Sequence, residues 1–147
     1  MNTARENLYQ TIFINLQAVL TNYQFVTFSR RLLPWDKVPA ELQPAMFQQQ
    51  VSETATVGGR GMPAWYLCKL DLHLYVNPGN DIDLIPSTVI NPAIDAIEAL
   101  LPGTGPVYQT FGLAGVSEIR INGEIMFYEG VLGPQAGAII PIHIICV

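Results

Sequence analysis

The stretch Ala64–Val76 constrains this chain more than any other. Cys68, Leu70, Leu72, Leu74 and Val76 alternate with Lys69, Asp71, His73 and Tyr75. A period of two places the first set on one face of an extended strand and the second on the other. One face therefore belongs to a core, and the chain must supply a layer that covers it.

Two segments read as that layer. Over residues 3–20, Leu8, Tyr9, Ile12, Phe13, Leu16, Val19 and Leu20 recur at helical spacing on one face. Thr3 followed by Glu6 has the pattern of a capping box, and Asn22 is a stop signal. A membrane-surface helix would carry several cations on its polar face; this one offers only Arg5, so packing on a sheet is favoured. Over Pro86–Leu101, Ile90, Ala93, Ile94, Ile97, Leu100 and Leu101 line a second face. Asn91-Pro92 either caps a fresh start or kinks the helix, and Pro102-Gly103 ends it.

The remaining elements read as strands and turns. Gln24–Leu32 is predicted as a strand, followed by an irregular proline-bearing loop from Leu33 to Pro44 that contains Trp35. Met46–Thr56 is a second strand. Val57–Pro63, with Gly58, Gly59, Arg60 and Gly61, is a hairpin connection into Ala64–Val76. Asn77–Asp83 is a turn. Beyond the second helix, Gly103–Pro106 reads as a loop and Val107–Leu113 as a strand. Asn122-Gly123 ordinarily signals a hairpin. Ile119, Ile121, Gly123, Ile125 and Phe127 nevertheless keep one parity through it, so Val116–Tyr128 is expected to be one long strand with Gly123 as a bulge or close-approach point. Glu129–Gly137 reads as a turn. Ala138–Val147, apolar on both faces, reads as a central or covered strand. The expectation is a single α+β domain over residues 1–147: a largely antiparallel (mixed) sheet of about six strands with two α-helices packed on it.

Composition narrows the function. Half the residues are hydrophobic and 13% are charged, against a usual charged share of about 25%. Disorder and coiled coil are excluded. No run of apolar residues is long enough for a membrane span, and Met1–Glu6 lacks a basic-then-apolar leader, so the chain is expected to stay in the cytosol. The net charge is −5, unlike a protein that grips phosphates over a broad face. Residues 1–70 carry net +2 and residues 71–147 net −7, an asymmetry that is either scatter or the basis of a head-to-tail self-contact. Few charges with much apolar content suggest surface hidden in an assembly.

A search for chemistry yields no catalytic, cofactor-binding or metal-ligating set. Cys68 and Cys146 lack a CxxC partner and read as buried thiols. Cys68 and His73 differ in parity, as do Cys146 and His143, so neither pair reads as a dyad. Asp81 and Asp83 sit in a turn, where Asp serves the backbone, and supply too few oxygens for a calcium loop. Gly58-Gly59-Arg60-Gly61 is not followed by the helix and Lys-Ser/Thr pair of a P-loop; it is a hairpin tip or a loop that orders on a partner. Tyr23, Phe25 and Phe28 lie near Arg30, Arg31 and Trp35, where core packing explains the aromatics as well as base stacking does.

Several runs carry a resemblance: Gln109-Thr110-Phe111-Gly112-Leu113-Ala114-Gly115-Val116, Ile119-Arg120-Ile121-Asn122-Gly123-Glu124-Ile125, Gly130-Val131-Leu132-Gly133-Pro134-Gln135 and Ile139-Ile140-Pro141-Ile142. With Asn91–Leu100 and Ala64–Leu67, they resemble the tail terminator (tail-completion) and minor tail proteins of tailed bacteriophages. The Leu33–Pro44 and Val57–Met62 loops have no counterpart in that resemblance. It implies a structural virion protein without enzymatic activity or cofactor, located at the tail or neck and assembled in the host cytoplasm. It implies a homo-oligomeric ring, commonly a hexamer, that caps the tail tube protein, stops polymerisation and offers a surface to head-completion (neck) proteins. DNA would pass through the lumen without sequence-specific contact, and no membrane is involved. An acidic lumen would let DNA slide by repelling phosphates. Arg30, Arg31, Trp35, Arg60 and Met62 are the candidate partner contacts. The alternatives are another head–tail joining protein, or a small ligand-binding module or enzyme using Cys68, His73 or His143.

Overall fold

The computed structural model describes residues 1–102 and 108–147. Its elements are α1 (Arg5–Leu20), β1 (Thr27–Ser29), β2 (Ala45–Val57), β3 (Ala64–Val76), α2 (Ser87–Leu100), β4 (Val116–Ile121), β5 (Met126–Leu132) and β6 (Gln135–Cys146). The fold is α+β: two helices and one six-stranded mixed sheet ordered β1-β2-β3-β6-β4, with β5 also paired to β6. β1 pairs with β2 in parallel; every other pairing is antiparallel.

β3 occupies the span its alternation predicts. Cys68, Leu70, Leu72 and Leu74 are fully buried, and they face the helix layer with Ile140, Ile142 and Ile144 of β6. Leu8, Ile12, Leu16 and Leu20 of α1 and Ile90, Ala93, Ile94 and Ile97 of α2 close that core. Pro92 lies inside α2, which begins at Ser87. β6 is central, as its two apolar faces require, lying between β3 and β4/β5.

The predicted capping box does not form. Ala4 is the N-cap of α1 without a side-chain hydrogen bond, because the Thr3 hydroxyl donates instead to the Ala114 carbonyl at 2.7 Å. The predicted Gln24–Leu32 strand shrinks to Thr27–Ser29. A 3-10 turn at Thr21–Tyr23 ends in a left-handed Gln24 (φ 68°), which breaks the extended backbone at the predicted strand's first residue. The proline-bearing loop is more ordered than its composition suggests. It holds 3-10 turns at Trp35–Lys37 and Ala40–Leu42, and it folds over the sheet face opposite the helices. There Val38, Ala45, Phe47 and Tyr75 form a second small core with Leu32 and Leu33. The Gln43 side-chain amide donates to Val38 O at 3.0 Å and to Gln135 Oε1 at 2.7 Å, and Gln135 donates to Trp35 O at 2.9 Å. This amide pair clamps the loop to the start of β6.

The last third departs most from expectation. Val107 and the Gly103–Pro106 loop lie outside the described residues, and residues 108–113 form turns and irregular chain, not a strand. A single ladder-like bond remains there, Ile119 N–H to Gln109 O at 2.8 Å. The predicted long strand Val116–Tyr128 is two strands, β4 and β5, lying end to end along one edge of β6. The break faces Pro141, which has no N–H to donate to that edge. Asn122 N–H still reaches Pro141 O at 3.1 Å, and a Cβ on Gly123 would stand 3.1 Å from Pro141 Cγ. Gly123 is thus a close-approach point, as its parity suggested. The Glu129–Gly137 turn tightens to Gly133-Pro134, with β5 and β6 claiming its flanks.

Candidate interaction surfaces

A bulge near Val51 sets the chemistry at one end of the sheet. The register runs Gln50↔Leu70, then Ser52↔Lys69. The extra residue inverts parity, so Glu53 turns toward the helix layer. Its carboxylate accepts from Tyr9 Oη at 2.9 Å and from Arg5 Nε at 2.7 Å, and the Arg5 guanidinium lies 5.7 Å from the Tyr66 ring centroid. Burial, joined by the bond to Glu53, pushes the Tyr9 phenol far above its usual value. Burial first, then the neighbouring Cys146 and Glu53, pushes the Cys68 thiol up to about 12. Burial raises Cys146 as well. Both thiols are therefore protonated at neutral pH, the unreactive form, and both are free and buried.

The histidines lie on the opposite sheet face. His73 Nε2–H donates to Gln49 Oε1 at 2.9 Å, and His143 Nδ1 accepts from Asn122 Nδ2 at 3.1 Å. Burial lowers the pKa of both; at His143 the charges of Lys69 and Arg120 lower it further. Unfolded imidazoles take up protons near pH 6.5, while the folded ones resist until lower pH. Below that point the unfolded chain binds more protons, so their contribution to stability is full above about pH 6.5 and is lost as pH falls. Urea midpoints should drop between pH 7.5 and 5.5, and His73→Gln should flatten that slope. An unchanged slope in the variant would reject the assignment.

The five candidate contact residues fall in different places. Arg30 is bound inward: its guanidinium meets Glu6 and donates to Gln10 at 3.1 Å, tying the end of β1 to α1. Hydrogen bonding to Arg30 holds the Glu6 carboxyl below its ordinary value. Arg31 is exposed, its backbone N–H on Ser29 Oγ at 3.0 Å. Trp35 borders an apolar hollow of about 240 Å³ with His73, Tyr75, Tyr128, Leu132 and Ile139. Arg60 and Met62 stand together at the exposed tip of the β2–β3 hairpin. β6 accompanies β3 only as far as Tyr66, whereas β2 follows it to Ala64, so this tip overhangs the sheet.

Sequence reasoning missed a third exposed region, the 78–86 loop. Asn77 and Asp81 side chains bond the backbone two residues on, at 2.9 and 3.0 Å. Ile82 projects from that loop almost wholly into solvent, 96% exposed, with Leu84 and Ile85 also exposed. Asp81 and Asp83 carried a turn signal, and the isoleucine between them was the available clue. Among the described residues, no three His, Cys, Asp or Glu side chains group as a metal site, and no helix is long and apolar enough to cross a membrane.

No family model matches the chain, and no curated protein matches it. Among solved structures it is similar to a chain in the virion of a native gene transfer agent (GTA) particle, with 11% identity and a TM-score of 0.53 over 95% of this chain and 90% of that one. At that identity the likeness is one of fold.

Proposed function

We propose that this chain is a structural virion protein of a phage-like particle, and specifically a tail terminator. Copies form a ring, a hexamer by the family resemblance, that caps the tail tube, ends its polymerisation and offers a docking surface to head-completion proteins. DNA passes through the lumen without sequence-specific contact. The observation that carries the reading is the α+β fold shared along nearly the whole chain with a gene transfer agent virion component. Exposed apolar side chains at both ends of the sheet, on a chain with few charges, add support. Arg31, Trp35, Arg60 and Met62 lie on surface that a partner can reach; Arg30 contributes by fixing β1 to α1. The protein works by presenting shape, and no bond is made or broken.

Deleting the gene from the particle that encodes it tests this. Tails of irregular or excessive length, unable to join heads, are expected in electron micrographs. Uniform tails of normal length that fail only at joining would assign the chain to the neck instead. Fully normal particles would overturn the reading.

A further inference from the structure

The hairpin tip and the 78–86 loop lie at opposite ends of the same strand pair. β2 and β3 each have 13 residues, which spans roughly 40 Å at about 3.3 Å per residue. One end presents Val57, Met62 and Trp65 with Arg60, all exposed. At the other, the 78–86 loop and the Gly133-Pro134 turn border two adjoining hollows of about 430 and 320 Å³. Their walls include Ile82, Leu84, Ile85 and Pro134, and their acids are Asp81 and Glu129, with Asp83 exposed on the same loop. No Lys or Arg occurs between Lys69 and Arg120 in the sequence. Each end is therefore apolar, and the two ends carry opposite charge.

We infer that the β2–β3 tip of one copy seats in this acid-rimmed groove of the next copy, with Met62 and Trp65 against Ile82, Leu84 and Ile85, and Arg60 facing Asp81, Asp83 and Glu129. The inference rests on the proposed self-assembly and names the surfaces that perform it. A contact between two different patches is heterologous: a growing assembly keeps one free tip at one end and one free groove at the other until it closes. Closure makes a ring, whereas a patch that matched itself would stop at a dimer. The groove's acids repel phosphate backbones, which disfavours nucleic acid as its occupant.

The test uses the full chain in sedimentation velocity over a range of concentrations. Arg60→Glu spoils the tip, and Asp81→Lys with Asp83→Lys spoils the groove. All three positions are exposed, and unchanged melting of each variant confirms folding. Each variant alone should need at least a tenfold higher concentration to assemble. Mixed in equal amounts, the two should assemble again in strict alternation, since each tip then meets a groove of opposite charge on the other variant. Carrying all three changes in one chain should restore assembly. If the wild-type chain assembles and the variants assemble equally well, the tip-to-groove contact is wrong while the ring reading survives. If the groove variant assembles normally but no longer caps tail tubes, the groove belongs to the tube protein and the inference falls. A wild-type chain that stays monomeric at every concentration and on tube ends removes both.

Discussion

Leu72→Ala should lower the unfolding free energy by about 2–5 kcal/mol, the range for truncating a fully buried leucine. Leu72 is fully buried, opposite Gln48 on one side and Ile140 on the other. It lies mid-sheet beneath two helices, where the surroundings have least freedom to collapse into the space. Total stabilities of single domains run about 5–15 kcal/mol, so the loss is a large fraction. At roughly 2–4 °C per kcal/mol for a chain of this size, the melting temperature should fall by about 4–20 °C. Asp71→Ala, one residue away on the opposite face, is the control and should shift stability by less than about 1 kcal/mol. Equal losses at the two positions would contradict the facing assigned to β3. Chemical denaturation of both variants decides it.

β3 was legible because its alternation is uninterrupted and one face is wholly apolar. The helices were legible for a similar reason, since apolar side chains at three- and four-residue spacing have one interpretation when a sheet must be covered. Residues whose roles depend on distant partners were harder to read. Thr3 looked like a cap, yet its hydroxyl goes to Ala114, a partner 111 positions away that no local pattern announces. β4 and β5 looked like one strand because their parity is continuous. The interruption is imposed by Pro141, a residue of the neighbouring strand. The inversion that delivers Glu53 to Tyr9 has the same character, because a bulge shows itself only in the pairing register. Of the candidate contacts, Arg60 and Met62 stand on the exposed hairpin tip that their glycine-rich surroundings predicted. For Arg30, an arginine beside aromatics gives no hint that Glu6 and Gln10 already hold it. Ile82, Leu84 and Ile85 follow no periodic pattern, and only the fold brings them beside the β5–β6 turn.

Gly115 offers the other large effect. Its φ is +74°, and a Cβ built there would lie 2.8 Å from the Val147 carbonyl oxygen and 2.9 Å from Asn2 Cβ. Those neighbours are tied to one another: Asn2 N–H donates to Val147 O at 2.6 Å, and Val147 N–H donates to Gly115 O at 2.9 Å. Both chain ends and the entry to β4 are therefore fixed at one point. Gly130 separates the two costs of a side chain there, because its φ is +72° with nothing within 4 Å of the corresponding Cβ. Gly130→Ala meets only the left-handed backbone penalty of about 1–2 kcal/mol. Gly115→Ala meets that penalty and a steric conflict with backbone, which overpacking places at about 1–3 kcal/mol more. Gly115→Ala should therefore be the more destabilising by at least about 1 kcal/mol in urea titrations, and hydrogen exchange should quicken at Asn2 and Val147. Matching losses in the two variants, with protection at both termini retained, would show that the chain ends yield freely and that Gly115 serves only its own backbone.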